Sequence, residues 1–145
     1  MNNLLFTVNV EGIIQKDNHF LLVKRSKKET HAPGKWSLVG GKVENPSAIL
    51  PVLEDTLRRE IKEEVNIEVE NEMKYLTSSF FTTDDKKSVI DIVFLCKYKS
   101  GQLSLVDRNE LSEIKWMSYE EIMENQEIIS FTKKCIELVK VKEKV

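Results

Sequence analysis

Apolar and polar positions along the chain change period several times, and each change marks an element. Residues 4–15 alternate and are rich in β-branched side chains, Lys16-Asp17-Asn18 supplies a turn, and His19 to Arg25 reads as a second strand. The two predict an opening β-hairpin. A polar stretch over 26–35 ends in Ala32-Pro33-Gly34-Lys35 and reads as a loop, and Trp36 to Val39 is a short apolar run that stops at Gly40-Gly41. From about 52 to 65 the period lengthens. Leu53, Leu57, Ile61 and Val65 recur every four residues, which is the apolar stripe of a helix. Residues 67–81 and 88–99 return to strand character on either side of the polar turn at 83–87, and a further short strand is expected at Ile114–Met117. Ser118 with Glu121 three residues on matches a capping box at a helix start. The last stretch repeats Phe131, Cys135 and Leu138 at helical spacing, so a terminal helix is expected to dock that face on a sheet. Strands, helix, strands and helices in this order predict an α/β (α+β) fold: a mixed sheet covered by helices, not a bundle or an all-β barrel.

Composition narrows the partners. A length of 145 residues with 41% hydrophobic side chains suits a single domain, 1–145, built on one sizeable core. The 22 basic and 24 acidic residues nearly cancel. They leave none of the basic excess that marks a nucleic-acid binder. No apolar run approaches the length of a membrane span. The first residues, MNNLLFTVNVEG, lack the basic and long apolar regions of a secretory signal. A soluble, cytoplasmic protein is expected, with Cys96 and Cys135 as buried reduced thiols. Six of the eight glycines and prolines crowd into one stretch: Pro33, Gly34, Gly40, Gly41, Pro46 and Pro51.

The chemistry concentrates beside that stretch. Glu60, Glu63 and Glu64 stand at i, i+3 and i+4 on the expected helix, so their carboxylates share one face and repel one another. A cation offsets such repulsion, and oxygen-only ligands suit Mg²⁺ or Mn²⁺. A glutamate cluster by itself reads more plainly as a solvated helix face, with Arg59–Glu63 as an ordinary ion pair. Upstream, Gly40-Gly41 permits close backbone approaches that side chains would block, and a carbonyl there would complete a metal site. Gly34 to Lys42 does not form a nucleotide-binding P-loop, because its glycine spacing is one too long and Val43 replaces the required Ser/Thr.

Gly41…Arg59-Glu60-Ile61-Lys62-Glu63-Glu64-Val65-Asn66-Ile67 resembles the Nudix box, and Gly34-Lys35-Trp36-Ser37-Leu38-Val39-Gly40-Gly41-Lys42-Val43-Glu44 resembles the run that enters it. The resemblance implies an α/β/α sandwich and metal-dependent hydrolysis of a pyrophosphate bond in a nucleoside diphosphate-linked substrate by water attack at phosphorus. It implies Mg²⁺, with Mn²⁺ as a substitute. By match to the motif, Glu60, Glu63 and Glu64 are metal-binding and base positions, with the Gly40 carbonyl as a further ligand and Arg59 orienting a glutamate. Gly41 and Lys42 face the substrate. Glu110, six residues before Trp116, is the expected late acid, with Glu113 as competitor. Arg25 stands where the family often places a phosphate-contacting cation; the plainer reading is a solvated strand end. His31, beside the Ala32-Pro33-Gly34 loop, is placed to reach substrate, but the plainer reading is a surface histidine; Phe80 and Phe81 end a strand near the expected cleft, where one could stack on a base, but the plainer reading for both is core packing.

Two departures stand out. Seventeen residues separate Gly41 from Arg59, four more than in the family, and about one extra helical turn at the helix start would absorb them. This puts Pro51 at the position of the family's spacer glutamate, for which Glu54 or Glu44 would have to substitute. Asn66 replaces the last box glycine, a mild change at a helix end. The absence of a proline after Ile67, and of a tyrosine in Thr82–Asp85, leans toward nucleoside triphosphates or related derivatives. The alternatives are an ADP-ribose or nucleotide-sugar pyrophosphatase and a non-catalytic nucleotide sensor. A monomer or a homodimer fits equally.

Overall fold

The opening hairpin forms as the alternation predicts. Strand β1 (Thr7–Lys16) turns at Asp17 and Asn18 into β2 (His19–Arg25), with Lys16 paired to His19. The computed structural model describes residues 4–29, 31–46, 49–106 and 108–143. Among these the chain continues through β3 (Trp36–Ser37), β4 (Val39–Lys42), α1 (Val52–Val65), β5 (Glu68–Val69), β6 (Lys74–Thr82), β7 (Ser88–Ser100), β8 (Leu111–Ser118), α2 (Tyr119–Glu124) and α3 (Ser130–Glu143). The strands join one mixed sheet in the order β3-β2-β1-β7-β5, with β4 also on β1, β6 on β7 and β8 on β2. Only β1 and β7 run parallel among these pairs.

Alternation along the central strands feeds two cores, because successive side chains point to opposite faces. Val10 and Ile14 of β1 with Leu21 and Val23 of β2 turn toward Leu57, Ile61 and Val65 of α1. Ile13, Phe20 and Leu22 turn the other way, under Ile122 of α2 and Cys135, Ile136 and Val139 of α3. Leu57, Ile61 and Val65 are at most 1% exposed, and each contributes roughly 1.5–3 kcal/mol by leaving water. The helices cover both faces of the mixed sheet, as expected. Ser118 caps α2 through the full capping box, and both cysteines are free and buried.

Four details depart from the sequence reading. The stretch expected as one strand at 67–81 is two, β5 and β6, separated by the polar Glu70-Asn71-Glu72; both lie along the thirteen-residue β7. The buried face of α3 is Thr132, Cys135, Ile136 and Val139, whereas Leu138 is 37% exposed. Gly40 and Gly41 lie inside β4, paired with Glu11 and Val10, and do not end a strand. Finally, α1 gains no extra turn upstream. Its N-cap is Pro51, and the residue before a proline is disfavoured in helical conformation. The four inserted residues therefore fall in the loop ahead of Val52, of which Ser47 and Ala48 lie outside the described residues. At the other end Asn66 adopts the left-handed conformation (φ 62°) and its N–H bonds the Lys62 carbonyl, as its place after the helix requires.

Candidate active site

β1 changes partner midway. Gln15 and Lys16 pair with β2, whereas Asn9 to Gly12 pair with β4. Where β2 and β4 part, a cleft of about 1030 Å³ opens, with Thr7, Asn9 and Glu11 of β1 along one side. Helix α1 delivers Glu60 and Glu64 to it, β4 delivers Gly40, Gly41 and Lys42, β2 delivers Arg25, and Glu110 enters just before β8. The described lining carries nine acidic side chains against Arg25 and Lys42.

Glu60 is seated on Gly41. A Cβ at Gly41 would lie 2.5 Å from Glu60 Cδ, so glycine there is what lets the carboxylate reach the strand. Burial raises the Glu60 pKa; Arg59 pulls it down, and Glu63, Glu110 and Glu44 add smaller upward pushes. Arg59 Nη1 lies 3.3 Å from Glu60 Oε1 and 3.4 Å from Glu63 Oε2, so it bridges the two glutamates. Its Nη2 is buried without a hydrogen-bond partner among the described residues. Arg59 and Glu63 are not among the cleft-lining residues, nor are Glu113 and Glu54; Glu44 is. Arg25 lines the cleft but is also engaged, donating from Nε to the His31 carbonyl (2.7 Å) and pairing with Glu29 (3.3 Å). Phe80 and Phe81, expected in the core, are 58% and 39% exposed and line the cleft. They end an edge strand with only β7 beside it among the described pairings, where Phe6 meets Phe80 edge-on and the His31 ring lies parallel to that of Phe81. His31 is exposed, as expected, and lines the cleft as well.

The NUDIX domain profile matches residues 5–139. The chain belongs to the Nudix family. This Nudix domain is 36% identical over 100 residues to an ADP-ribose pyrophosphatase of Methanocaldococcus jannaschii, a match covering 69% of this chain and 56% of that protein. It is 31% identical over 105 residues to the NAD-capped RNA hydrolase NudC of Vibrio vulnificus, covering 72% of this chain and 36% of that one. The matched region thus spans little more than half, or less, of these curated relatives. Among solved structures, a MutT NUDIX hydrolase from Burkholderia pseudomallei superposes with a TM-score of 0.78 at 26% identity, covering 93% of this chain and 98% of that one.

The family implies a divalent cation, and the donor set of this Nudix domain fits one in chemistry. The cleft offers oxygen ligands in acidic excess, and mutual repulsion helps to raise Glu60. Among the described residues no group of three or more His, Cys, Asp or Glu side chains is already gathered as a cage. Mg²⁺ does not require one, since it keeps several waters and is held by one or two carboxylates plus substrate phosphates.

Sequence reasoning missed a second acidic pair in this Nudix domain. Asp91, 1% exposed on β7, accepts a 2.7 Å hydrogen bond from Asn9 Nδ2 and is also hydrogen-bonded to the carboxyl of Glu11. Burial above all, and then the Asp91 charge, push the Glu11 carboxyl well above the ordinary carboxylate range. A signal was available: Asp91 is the lone charge between Lys87 and Lys97, and Thr7, Asn9 and Glu11 put polar groups on one face of an otherwise apolar strand. The consequence is a slope in stability. A carboxyl whose pKa is raised on folding binds its proton more tightly than in the unfolded chain, which releases it above about pH 4.5, so stability is expected to fall as pH rises above that value. Glu11→Gln, which can still donate to Asp91, is expected to flatten the slope and to be the more stable form at pH 8. Denaturant unfolding of both forms at pH 5 and 8, without divalent ions, checks this. Parallel profiles would show Glu11 ionised in the folded protein.

Proposed function

We propose that this chain is a metal-dependent pyrophosphohydrolase. It cleaves a pyrophosphate bond in a nucleoside diphosphate-linked substrate, with nucleoside triphosphates or related derivatives favoured. The reading rests on one observation above the others: Glu60 is seated on the Gly40-Gly41 strand in an acid-lined cleft, with Glu64 one turn further along the same helix. Relatives named as a pyrophosphatase and as NAD-capped RNA hydrolases, and shorter matches of 42–45% identity over 53 residues to nucleoside triphosphatases named NudI, support the reaction class. They do not separate the substrates.

In this reading Glu60 and Glu64, with Glu63 beside them on α1, Glu110 opposite and the Gly40 carbonyl, hold Mg²⁺, for which Mn²⁺ substitutes. When bound, the ion supplies charge neutralisation at the pyrophosphate and makes water more acidic. One of the helix carboxylates accepts the proton of the attacking water. Arg59 holds Glu60 and Glu63 in place, while Gly41, Lys42 and Arg25 receive the phosphates. The test is phosphate or nucleotide release from a panel of nucleoside triphosphates, ADP-ribose, nucleotide sugars and dinucleotides, with Mg²⁺ and with chelator. The expected result is turnover of at least one substrate that stops on chelation. Undiminished turnover with chelator, or none across the panel, would overturn the proposal.

A further inference from the structure

The hairpin of β6 and β7 leaves one long edge bare. Strand β6 has β7 on one side and no strand on the other among the described pairings. Thr83 N–H donates to the Lys87 carbonyl at 2.9 Å, which sets the phase of the ladder. Counting back in twos, Phe81, Ser79 and Thr77 direct their backbone groups to β7, while Thr82, Phe80 and Ser78 turn theirs outward. Among the described residues the one hydrogen bond to a β6 backbone group from outside the ladder is that of Lys142 Nζ to the Leu76 carbonyl, at 3.2 Å. It falls at the register shift between Tyr75 and Thr77. Bare edges are usually blunted by a charge, a proline or a bulge. The run from Ser78 to Thr82 has none of these, and it puts exposed Phe80 and Phe81 on opposite faces of the strand.

A second copy of the strand fits this edge, and charge picks its register. An antiparallel pair joins outward-facing residues to outward-facing residues, so a two-fold axis near the middle of the bare run passes through Ser78, Ser79 or Phe80. An axis at Ser78 sets Glu72 opposite Asp84 and draws the irregular step at Tyr75–Thr77 inside the ladder. One at Phe80 sets Lys74 opposite Lys86. Of the three, the axis at Ser79 alone gives unlike charges at both ends: Lys74 opposite Asp84 and Glu72 opposite Lys86, each twice by symmetry. It also leaves the irregular step at the end of the ladder and makes the two Phe80 rings diagonal neighbours within reach of each other. We propose that this chain forms a symmetric homodimer through antiparallel β6 edges centred on Ser79, which brings the partner's Lys74 against Asp84. Asp84 lines the cleft, so each site gains a cation from the other subunit, on a lining whose described cations are Arg25 and Lys42.

The test is sedimentation velocity of the full chain over a concentration series at low salt, where surface charges act most strongly, with circular dichroism to check that each variant is folded. The wild type is expected to dimerise. Thr82→Pro removes an outward N–H, a change an edge strand tolerates and a paired strand does not, and is expected to leave a monomer at every concentration. Lys74→Glu and Asp84→Lys should each raise the dissociation constant about ten-fold, because either change sets two like-charged pairs in one dimer. Lys74→Glu combined with Asp84→Lys restores both unlike pairs and should recover most of the wild-type affinity. That recovery also shows that neither single change acts through the fold. A wild type that stays monomeric up to its solubility limit, a dimer indifferent to Thr82→Pro, or a double variant no tighter than the single ones overturns the proposal. Turnover enters none of these readings, so the dimer stands or falls separately from the hydrolase.

Discussion

Replacing Glu64 by glutamine is expected to lower nucleotide turnover at least about a hundred-fold, roughly 2.7 kcal/mol of barrier. Glu64 lines the cleft on α1, four residues after the Glu60 that rests on Gly41. Glutamine keeps the shape and removes the charge, and with it the capacity either to bind a cation strongly or to take a proton. Loss of a general base costs 10²–10⁴-fold, and loss of an anionic ligand weakens ion binding instead. Initial rates over a Mg²⁺ titration separate the two. A ligand role predicts partial recovery at high Mg²⁺; a base role predicts a depressed kcat throughout and a pH–rate profile without its acidic limb. A variant that keeps more than a tenth of wild-type turnover at ordinary Mg²⁺ would falsify the assignment of Glu64 to the reaction.

Gly40→Ala should be the most destabilising small change in the cleft. A Cβ at position 40 would run into the Val10 carbonyl oxygen and lie 2.7 Å from Glu11 Cα. Both are backbone atoms of the central strand, which has no room to retreat. Forcing a methyl into close packing usually costs 1–3 kcal/mol and occasionally more; a backbone collision belongs at the upper end, about 3 kcal/mol, or a drop in Tm of about 10 °C. Gly41→Ala is the contrast. There the obstacle is the Glu60 carboxyl, the far end of a flexible side chain. It should keep its Tm and lose activity, because relief comes by pushing Glu60 off its seat. Scanning calorimetry on both variants, with activity measured beside it, checks the pair. Equal Tm values would show that the β1–β4 approach is looser than the distances imply.

Most elements were legible because their signals are local. The β1–β2 hairpin follows from alternation, α1 from its four-residue stripe, and the α2 cap from Ser118 and Glu121, all short-range patterns. The failures share a different cause. The pattern at Phe131, Cys135 and Leu138 is helical, but only the neighbouring sheet decides that Val139, and not Leu138, is covered. The break between β5 and β6 is set by how both share β7. In the candidate site, the residues contributed by α1 and β4 lie close in sequence and form a compact motif. Asp91 carries no local motif and becomes visible only when distant strands are laid in register, and the open setting of Phe81, for which core packing is the plainer reading, is decided by the same pairing. What sequence reading located was the part of the cleft made by one continuous stretch of chain, together with Arg25 and Glu110 from outside it.

That division has a consequence for how the protein is made. The hydrogen bond from Asn9 to Asp91 spans 82 residues, and the only parallel pairing among the described strand pairs joins the first strand to the seventh. Closing so long a loop must come before its contacts stabilise anything, which slows folding. On the ribosome the hairpin, β4 and α1 can assemble early, glutamates included, while one edge of β1 stays bare until β7 has emerged. A chain stopped before residue 88 would therefore display the whole sequence motif and still lack half the walls of its cleft.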